Sequence, residues 1–527
     1  MIVDLAYKTA FGRLSVLHML DAAAQACPDR IALIDDDMRV SYRDYVSSVN
    51  AFSQRLSSQG VAGHRVILLC ENSVDFAIAL YGIYAAGGQA VPISPAFTAH
   101  ELETIIADCS PVVCIADSDT AVGKLKSARS NVTGELLIQK TGSGSASLVE
   151  NADTNGPGGL REIYLPESDR LANLLYTGGT TGRPKGVNQT HEELSINLEQ
   201  RQALVPLEME NERILCFMPM YHSFAMSLCV QGAVQTRNTL IIKNKFHPIS
   251  ILESLEKDQV TCLPAGPTAL ISLLGYEGFE EHDLSHLKLV ISGSAALPLE
   301  TLEAWERMTD SIICEGYGQT EAGPVLTFNP RDGERKAGTV GIVVPETELR
   351  IVDVDTAEPL EETGVAGEIC AKGPQIMQNY HNRPEENAEA LRDGWLFTGD
   401  VGFFDADGYL TICDRKKDMV IVSGYNVYPR EINEILLQHP QVVEAATIGV
   451  PDVYRGELIQ SFVIINDNKY CKNNDIKEFC KNFLIFYKIP AEIHIVTSLP
   501  KTSVGKINLV ELRRILDEKA VEAGAEN

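Results

Sequence analysis

Long apolar runs are absent from this sequence. No stretch of 18 or more apolar residues occurs among its 527 residues, so no membrane-spanning helix is predicted. The amino terminus, Met1–Leu5, also lacks the basic segment, apolar stretch and small-residue cleavage site of a secretory signal. We therefore expect a cytoplasmic location.

Positive charge is scarce as well. The chain has 45 Lys and Arg against 72 Asp and Glu, a formal net charge of -27. Sequence-independent nucleic-acid binding needs many Lys and Arg contacts to phosphate, so this composition argues against it. Any phosphate site must then be local. The Arg-Lys-Lys triplet at 415–417 is one focus of positive charge for an anionic substrate, although a solvated charged turn explains the triplet equally well.

Paired cysteine motifs are missing too. Twelve cysteines are present and no two form a Cys-x-x-Cys pair, which predicts reduced, mostly buried thiols without disulfides or zinc. His282 and His286 have a metal-ligand spacing, but Asp283 stands where a zinc protease motif has Glu, and no third ligand is evident. A surface turn is the better interpretation.

Helix and strand patterns alternate through about the first four hundred residues, beginning with a helical pattern at 15–26, an apolar run at 66–69 and a helical pattern at 73–86. This alternation predicts α/β layers. After Asp414 the pattern changes to a helix at 429–438, strands near 442–449 and 461–465, and a helix from Leu509. We predict a large N-terminal domain, 1–413, and a smaller α+β domain, 414–527.

Glycines, hydroxyls and cations crowd one turn between Tyr176 and Val187. Glycines let backbone amides point inward, threonines donate hydrogen bonds and cations supply charge, so the turn is suited to phosphate. It does not fit the Walker pattern, and a mobile surface turn is the alternative. The residues expected to bind phosphate are Thr177, Gly178, Thr180, Thr181 and Lys185.

This turn resembles the phosphate-binding signature of the adenylate-forming superfamily, which includes acyl-CoA synthetases, peptide-synthetase adenylation domains and beetle luciferases. Further family motifs follow in the same order, from Pro28-Asp29-Arg30 to Lys506, so the resemblance covers nearly the whole chain. It implies an α/β fold, with a large multi-layer N-terminal domain of parallel-rich sheets and a small mobile α+β C-terminal lid. The lid would turn about a hinge near Lys417 between two half-reactions.

The resemblance implies nucleotide-binding roles in the N-terminal domain. In the motif at 316–321, Gly316 and Gly318 would leave room for ligand, and Tyr317 would stack on adenine. Thr320 would bind phosphate, and Glu321 would hold Mg²⁺, which prefers oxygen ligands. The segment resembling the adenine-pocket wall is Gly293, Ser294 and Ala295.

Roles in the C-terminal part are implied in the same way. Asp400 resembles the ribose-binding carboxylate, and Arg415 would contact ribose or phosphate. Lys506 would bridge the attacking carboxylate and the α-phosphate, a role suited to a mobile point charge. Gly424 would let the pantetheine arm of CoA pass.

The segment around His222 resembles the one beside the acyl pocket, where a histidine gates the pocket or orients the carboxylate. Amino-acid-activating relatives carry Asp in this region, whereas here Tyr221 and Ser223 flank the histidine. Malonate-activating relatives carry Arg where this chain has Glu315. A monocarboxylic acid is therefore favoured, and the apolar residues of this region suit an aliphatic or aromatic one: Phe224, Met226 and Val325.

We thus predict an ATP-dependent acyl-CoA synthetase that requires Mg²⁺. It would form acyl-AMP with release of pyrophosphate, then transfer the acyl group to CoA with release of AMP. An acyl-AMP ligase loading a carrier protein is an alternative, but it typically has an insertion ahead of the hinge, and none lies between Asp400 and Arg415. A luciferase-like oxygenation and a non-catalytic nucleotide sensor are further alternatives, and an oligomer is left open.

Overall fold

The computed structural model describes residues 14–128, 137–140, 148–149, 164–177, 184–423, 425–452, 454–466, 472–502 and 506–516. The chain forms two compact units. The large unit comprises Met1–Glu348 and Ala371–Leu396, and the small unit comprises Leu349–Cys370 and Phe397–Asn527. The α/β fold class is confirmed. The boundary at 413 and the hinge near Lys417 stay predictions.

Among the described residues, fifteen strands precede residue 348, and they belong to the large unit. They are β1 Ile31–Asp35, β2 Met38–Ser41, β3 Arg65–Leu69, β4 Gln89–Pro92, β5 Val113–Ala116, β6 Leu137–Lys140, β7 Leu171–Thr177, β8 Lys185–Thr190, β9 Arg213–Cys216, β10 Thr239–Ile242, β11 Cys262–Ala265, β12 Leu289–Ser292, β13 Ile312–Gly318, β14 Val325–Phe328 and β15 Ile342–Val343.

The later described strands include three, β16, β17 and β20, in which the chain passes from one unit to the other. They are β16 Glu348–Val352, β17 Gly367–Lys372, β18 Asn379–Tyr380, β19 Leu391–Arg392, β20 Trp395–Phe404, β21 Leu410–Arg415, β22 Val420–Val422, β23 Tyr425–Val427, β24 Val442–Asp452, β25 Gly456–Ile465 and β26 Glu492–Ile495.

The helices match the predicted positions at both ends of the chain. They are α1 Val16–Ala26, α2 Tyr42–Ser57, α3 Val74–Ala85, α4 Ala99–Cys109, α5 Asp119–Ala128, α6 His191–Leu204, α7 Ser223–Ala225, α8 Gly232–Gln235, α9 Pro248–Lys257, α10 Pro267–Leu274, α11 Leu299–Thr309, α12 Pro384–Ala390, α13 Pro429–Leu437 and α14 Asn473–Cys480. Residues 509–516 are also helical. Local sequence explains several starts: α4 and α6 begin with capping boxes, and Pro429 occupies the first turn of α13.

Two sheets form the large unit. The nine-stranded sheet has the order β15-β14-β13-β12-β11-β9-β10-β1-β2, and the seven-stranded sheet has the order β18-β8-β7-β4-β3-β5-β6. Parallel pairing runs through the middle of both. Antiparallel strands close both edges of the nine-stranded sheet and the β18 edge of the seven-stranded sheet, whose other edge strand, β6, is parallel. One buried core joins a face of each sheet through α1, α2 and α3, while two further cores cover the opposite faces with α9–α11 and with α4–α5. The layered architecture follows from this arrangement.

The small unit is built on antiparallel pairs. Strands β24 and β25 pair along ten residues or more, β22 joins β25, and β26 pairs with β25 in parallel. Helices α13 and α14 cover one face of this sheet, and the helix at 509–516 packs with the other. Strands β20 and β21 pair antiparallel within another, five-stranded sheet, and this pairing aligns Asp400 with Arg415.

Within the part of the chain that the structure describes, no helix has the length and apolar character to cross a bilayer. The eleven described cysteines carry free thiols and nine of them are buried, as the scattered cysteine pattern predicts. The His282 Nδ1 donates to Glu256 Oε2 at 3.0 Å.

Candidate active site

The ends of the phosphate-binding turn are neighbours on adjacent strands. Thr177 closes β7 and Lys185 opens β8, and the two residues are paired in register. The Thr177 hydroxyl donates to the carbonyl of Lys185 at 3.4 Å. The turn is therefore the connection of an antiparallel hairpin. Gly178, Thr180 and Thr181, which the sequence assigns to phosphate, lie outside the described residues.

Tyr380 links this hairpin to the motif at 316–321. The Lys185 ammonium lies 5.0 Å from the centroid of the Tyr380 ring. The Tyr380 hydroxyl donates to Glu321 Oε1 at 2.8 Å. Burial and the Glu321 carboxylate both raise the pKa of Tyr380 above its usual value, so the hydroxyl keeps its proton. Lys185 and Glu321, predicted from separate motifs, thus share one neighbour.

Thr320 and Glu321 are held by contacts from three other segments. They lie in a short 3₁₀ turn, Thr320–Ala322. The Thr320 hydroxyl is 3.1 Å from that of Ser223, and the Thr320 carbonyl accepts from Gln189 at 2.9 Å. The Glu321 carbonyl accepts from the backbone amide of Met377 at 2.9 Å. Backbone and side chains of this turn are therefore positioned together.

The glycines of β13 are required by the packing of the chain itself. A Cβ at Gly318 would overlap the carbonyl of Pro324, and one at Gly316 would overlap the Phe328 ring. Tyr317 is half-buried between them and pairs with Thr327 of β14. This packing role is separate from the predicted one of leaving room for ligand, which stays a prediction.

The segment after β12 meets two other parts of the site. Gly293 is buried, Ser294 is half-buried with φ of 70°, and Ala295 is exposed. A Cβ at Gly293 would lie 3.2 Å from the Phe224 ring and 3.5 Å from the Gly316 carbonyl. Because Gly293 has no side chain, three segments can approach one another here. They are the predicted adenine-pocket wall, the segment around His222 that resembles the one beside the acyl pocket (the acyl segment), and β13.

The acyl segment begins a helix. His222 is the N-cap residue of α7, and its Nδ1 accepts from the Phe224 backbone amide at 3.3 Å, which fixes the direction of the imidazole. Met226 and Val325 are buried, whereas Phe224 is half-buried. A buried π-helix, Met226–Gln231, follows; such segments are frequent at functional sites.

The small unit brings together three residues predicted from distant motifs. Asp400 and Arg415 face each other across β20 and β21, with Arg415 Nε 3.4 Å from Asp400 Oδ1. Lys506 lies in a hairpin, where its carbonyl accepts from Thr502 N at 2.7 Å and its amide donates to Thr502 Oγ1 at 3.2 Å. Burial and the positive charge of Arg415 lower the pKa of Lys506 to about 8, although Asp400 opposes them. Gly424 lies outside the described residues.

Glu368 supports Asp400 and was not predicted from the sequence. Its Oε1 accepts from the Gly399 amide at 3.2 Å, and its Oε2 accepts from Lys416 Nζ at 2.8 Å. Glu368 therefore connects the turn before Asp400 to the basic triplet. Its only sequence signal is a carboxylate within an apolar strand pattern, since 368 is buried in β17.

Two family models match the chain. The model described as AMP-binding enzyme matches residues 20–381, and the model of the AMP-binding enzyme C-terminal domain matches residues 431–506. Among curated proteins, the long-chain-fatty-acid–CoA ligase of Bacillus subtilis is 32% identical, covering 98% of this chain and 97% of the relative. The ligase of the same name from Salmonella typhimurium is 34% identical, covering 95% and 94%.

Solved structures agree with these relatives. ATP-bound MatB from Rhodopseudomonas palustris is 28% identical, with a TM-score of 0.86 and coverage of 95% of this chain and 99% of that one. The anthranilate CoA ligase AuaEII, in complex with anthranoyl-AMP, is 27% identical, with a TM-score of 0.87 and coverage of 95% and 97%. The models, the relatives and the fold agree: this chain belongs to the family of AMP-binding enzymes.

Proposed function

We propose that this chain, an AMP-forming acid–thiol ligase of the acyl-CoA synthetase type, acts on long-chain fatty acids in the cytoplasm. The acid would attack the α-phosphorus of ATP and expel pyrophosphate, and CoA would then displace AMP from the acyl-AMP. Both relatives described above are named long-chain-fatty-acid–CoA ligases.

The convergence of Asp400, Arg415 and Lys506 in the small unit carries this proposal. Lys506 is the mobile point charge in this group, and at neutral pH a lysine with a pKa of about 8 is mostly protonated. Positive charge is needed where the carboxylate and the α-phosphate, both anionic, approach each other. Asp400, buried and aligned with Arg415, is suited to accept hydrogen bonds from the ribose hydroxyls.

In the large unit, Lys185 and Thr320 would bind phosphate oxygens. Glu321 offers a buried carboxylate and directly follows Thr320 in the chain. The described residues contain no cluster of three or more His, Cys, Asp or Glu around a metal position. One carboxylate combined with substrate phosphates is the set that Mg²⁺ commonly uses. Glu321 would therefore hold Mg²⁺, which when bound supplies positive charge to the phosphates.

The surroundings of the acyl segment favour a neutral, apolar substrate chain. The Tyr221 hydroxyl accepts from Ser94 at 3.1 Å, and Ser223 bonds to Thr320. The neighbouring Met226 and Val325 are buried apolar residues. Within the described residues, these contacts involve no charged side chain, so none of them offers a partner to a second carboxylate or to an ammonium on the acid.

CoA is the favoured acceptor. Strands β20 and β21 are joined by a short turn, 405–409, in which the Tyr409 amide donates to Asp405 at 2.9 Å. An acyl-AMP ligase that loads a carrier protein typically has an insertion ahead of the hinge, and this compact hairpin leaves no room for one between Asp400 and Arg415. In this respect the chain resembles family members that transfer the acyl group to CoA more than those that load a carrier protein.

A panel of acids tests the substrate. CoA-dependent AMP release is measured with saturated and unsaturated fatty acids from butanoate to oleate, and with benzoate and cinnamate. The expected result is a kcat/KM that rises with chain length toward the long fatty acids. Highest activity with benzoate or cinnamate would contradict the fatty-acid proposal.

Substitution of Lys506 tests the reaction. Lys506→Ala is expected to lower acyl-adenylate formation about a thousandfold, which corresponds to about 3 to 4 kcal/mol of lost transition-state stabilisation. Thioester formation from supplied acyl-adenylate should be comparatively unaffected. Lys501→Ala is the control, because Lys501 lies in the same hairpin but pairs with Glu444 at 2.6 Å. Equal loss in both half-reactions would contradict the role of Lys506.

A further inference from the structure

Tyr380 touches two residues with opposite charges. Its ring lies under the Lys185 ammonium at 5.0 Å, and its hydroxyl donates to Glu321 at 2.8 Å. A cation above a ring face is attracted by the ring's negative potential. A hydroxyl that donates to a carboxylate forms a charge-assisted hydrogen bond. The two contacts use different parts of the same side chain, and they are independent of each other.

The backbone around Tyr380 is held from both sides. Strand β18 pairs with β8, aligning Tyr380 with Val187. The Tyr380 amide donates to Asn387 Oδ1 at 2.6 Å, and the Tyr380 carbonyl accepts from Asn387 Nδ2 at 2.9 Å. The next residue, His381, donates its amide to the carbonyl of Gly186 at 2.7 Å. Because Tyr380 is only 7% exposed, its ring has little freedom to move.

Lys185 and Glu321 contact different parts of this one ring system. A lysine has a long, flexible side chain, and a buried carboxylate is a strong partner for its ammonium. A direct ion pair between the two would use the positive charge needed by the phosphates and the negative charge needed by Mg²⁺. Tyr380 offers each group a contact that leaves its charge in place.

We propose that Tyr380 is a positioning residue that keeps Lys185 directed to the ATP phosphates and Glu321 directed to the divalent cation. The proposal rests on the proposed function, because it assumes that both residues act on ATP. It assigns a different task to each part of the side chain. The hydroxyl orients Glu321, and the ring orients Lys185.

Two substitutions separate these tasks. Tyr380→Phe keeps the ring and removes the hydroxyl, so the Mg²⁺ concentration that gives half-maximal pyrophosphate exchange should rise about tenfold or more, with little change in the KM for ATP at saturating Mg²⁺. Tyr380→Leu removes both contacts, so the KM for ATP at saturating Mg²⁺ should also rise, by about two- to fivefold. The KM for the acid should stay the same in both variants.

Direct binding gives a readout besides activity. Titration calorimetry of ATP is carried out with and without Mg²⁺ on each variant, and circular dichroism checks that each variant is folded. Tyr84→Phe is the matched control, because Tyr84 is a buried tyrosine of the same unit whose hydroxyl donates to Asn173 at 2.6 Å. The control is expected to leave the Mg²⁺ dependence unchanged.

The outcomes distinguish the two proposals. If Tyr380→Phe shows the same Mg²⁺ dependence as the natural chain, the positioning role is wrong, and this holds even if Tyr380→Leu does not fold. A parallel change in the KM for acid and ATP would also overturn it. If instead the natural chain shows no acid-dependent pyrophosphate exchange, it is the proposed function that fails.

Discussion

Asp108 and Arg383 lie 275 positions apart in the chain, yet Arg383 Nη1 donates to Asp108 Oδ1 at 3.1 Å. The other carboxylate oxygen accepts from the Tyr176 hydroxyl at 2.7 Å, and Arg383 Nη2 donates to the Pro184 carbonyl at 3.4 Å. Tyr176 and Pro184 stand on opposite sides of the phosphate-binding turn. A single ion pair, at the end of α4, therefore holds both ends of that turn.

Asp108→Asn should weaken ATP binding more than it slows turnover. The amide keeps the shape of the carboxylate but loses the charge-assisted bonds, each worth about 1.5 to 3 kcal/mol, so we expect the KM for ATP to rise about tenfold. The KM for the acid should be unchanged. Steady-state kinetics with each substrate varied in turn checks this.

The exposed pair between Arg43 and Asp29, at 3.0 Å, provides the comparison. Arg43→Ala removes an ion pair of the same unit at the surface, where such pairs contribute little, and ATP kinetics should be unaffected. An Asp108→Asn variant that behaves like Arg43→Ala would show that the pair does not support the turn.

Contacts such as these explain what the sequence can and cannot predict. Asp400, Arg415 and Lys506 stand in motifs of recognisable composition, and the structure brings the three together. Asp108 and Tyr380 act through partners far away in the chain, and no local spacing or composition marks them. Glu368 also has distant partners, and its only local signal is a carboxylate within an apolar strand pattern. Their roles depend on which strands become neighbours.

The fold, too, has features that local sequence patterns predict and features that depend on distant partners. Alternating apolar runs and helical patterns predict the α/β layers because the period of each pattern is local. Helix α6 is different, because its sequence is rich in Glu, Gln, Asn and Arg although most of it is buried. Two of its polar side chains bond to distant groups: Asn197 donates to the Val325 carbonyl at 2.8 Å, and Gln200 donates to the Pro345 carbonyl at 2.8 Å. A polar pattern alone predicts an exposed helix here.

The rate of acyl-adenylate formation should fall at alkaline pH, because Lys506 loses its proton there. Its pKa is lowered to about 8 by burial and by Arg415, so the ammonium loses its proton as the pH rises through about 8. Pyrophosphate exchange should therefore fall above about pH 8. Lys506→Arg keeps its charge at these pH values, so its exchange rate, although lower, should stay level from about pH 7 to about pH 9.5.

The thioester half-reaction, started from supplied acyl-adenylate, serves as the reference for general effects of pH. Its rate should not fall above about pH 8 in the same way. If pyrophosphate exchange by Lys506→Arg also falls above about pH 8, the titrating group is not Lys506.

Gly318→Ala should destabilise the large unit. The added Cβ would overlap the backbone carbonyl of Pro324, which cannot move aside as a flexible side chain would. We expect a loss of about 1 to 3 kcal/mol in the free energy of unfolding, together with reduced ATP binding because β13 leads into Thr320. Urea denaturation and ATP titration measure the two effects.

Gly123→Ala is the matched substitution. Gly123 lies within α5, where an added Cβ meets nothing within 4 Å, and replacing a helical glycine by alanine should stabilise the protein by about 0.5 to 1 kcal/mol. Equal effects of the two substitutions would refute the steric explanation for Gly318.

Glu193 should make the stability of the large unit depend on pH. It accepts from the Thr190 amide at 2.8 Å at the start of α6, and burial raises its pKa to about 7. A raised pKa means that the folded state binds the proton more tightly than the unfolded state, whose carboxyl has its usual value of about 4.5. The resulting stability is fully present below about pH 4.5 and is lost as the pH rises through about 7.

Glu193→Gln removes this dependence, because glutamine is neutral at every pH and keeps the capping oxygen. The gain in free energy of unfolding of the variant over the natural chain should be larger at about pH 8 than at about pH 5.5, by about 1 to 3 kcal/mol. His191, whose pKa burial lowers to about 3, acts in the opposite direction but is common to both proteins and cancels in the comparison. Trp305 and Trp395 both belong to the large unit, so urea denaturation followed by tryptophan fluorescence measures the stability of this unit. If the difference in free energy of unfolding between the variant and the natural chain does not change with pH, Glu193 has its ordinary pKa.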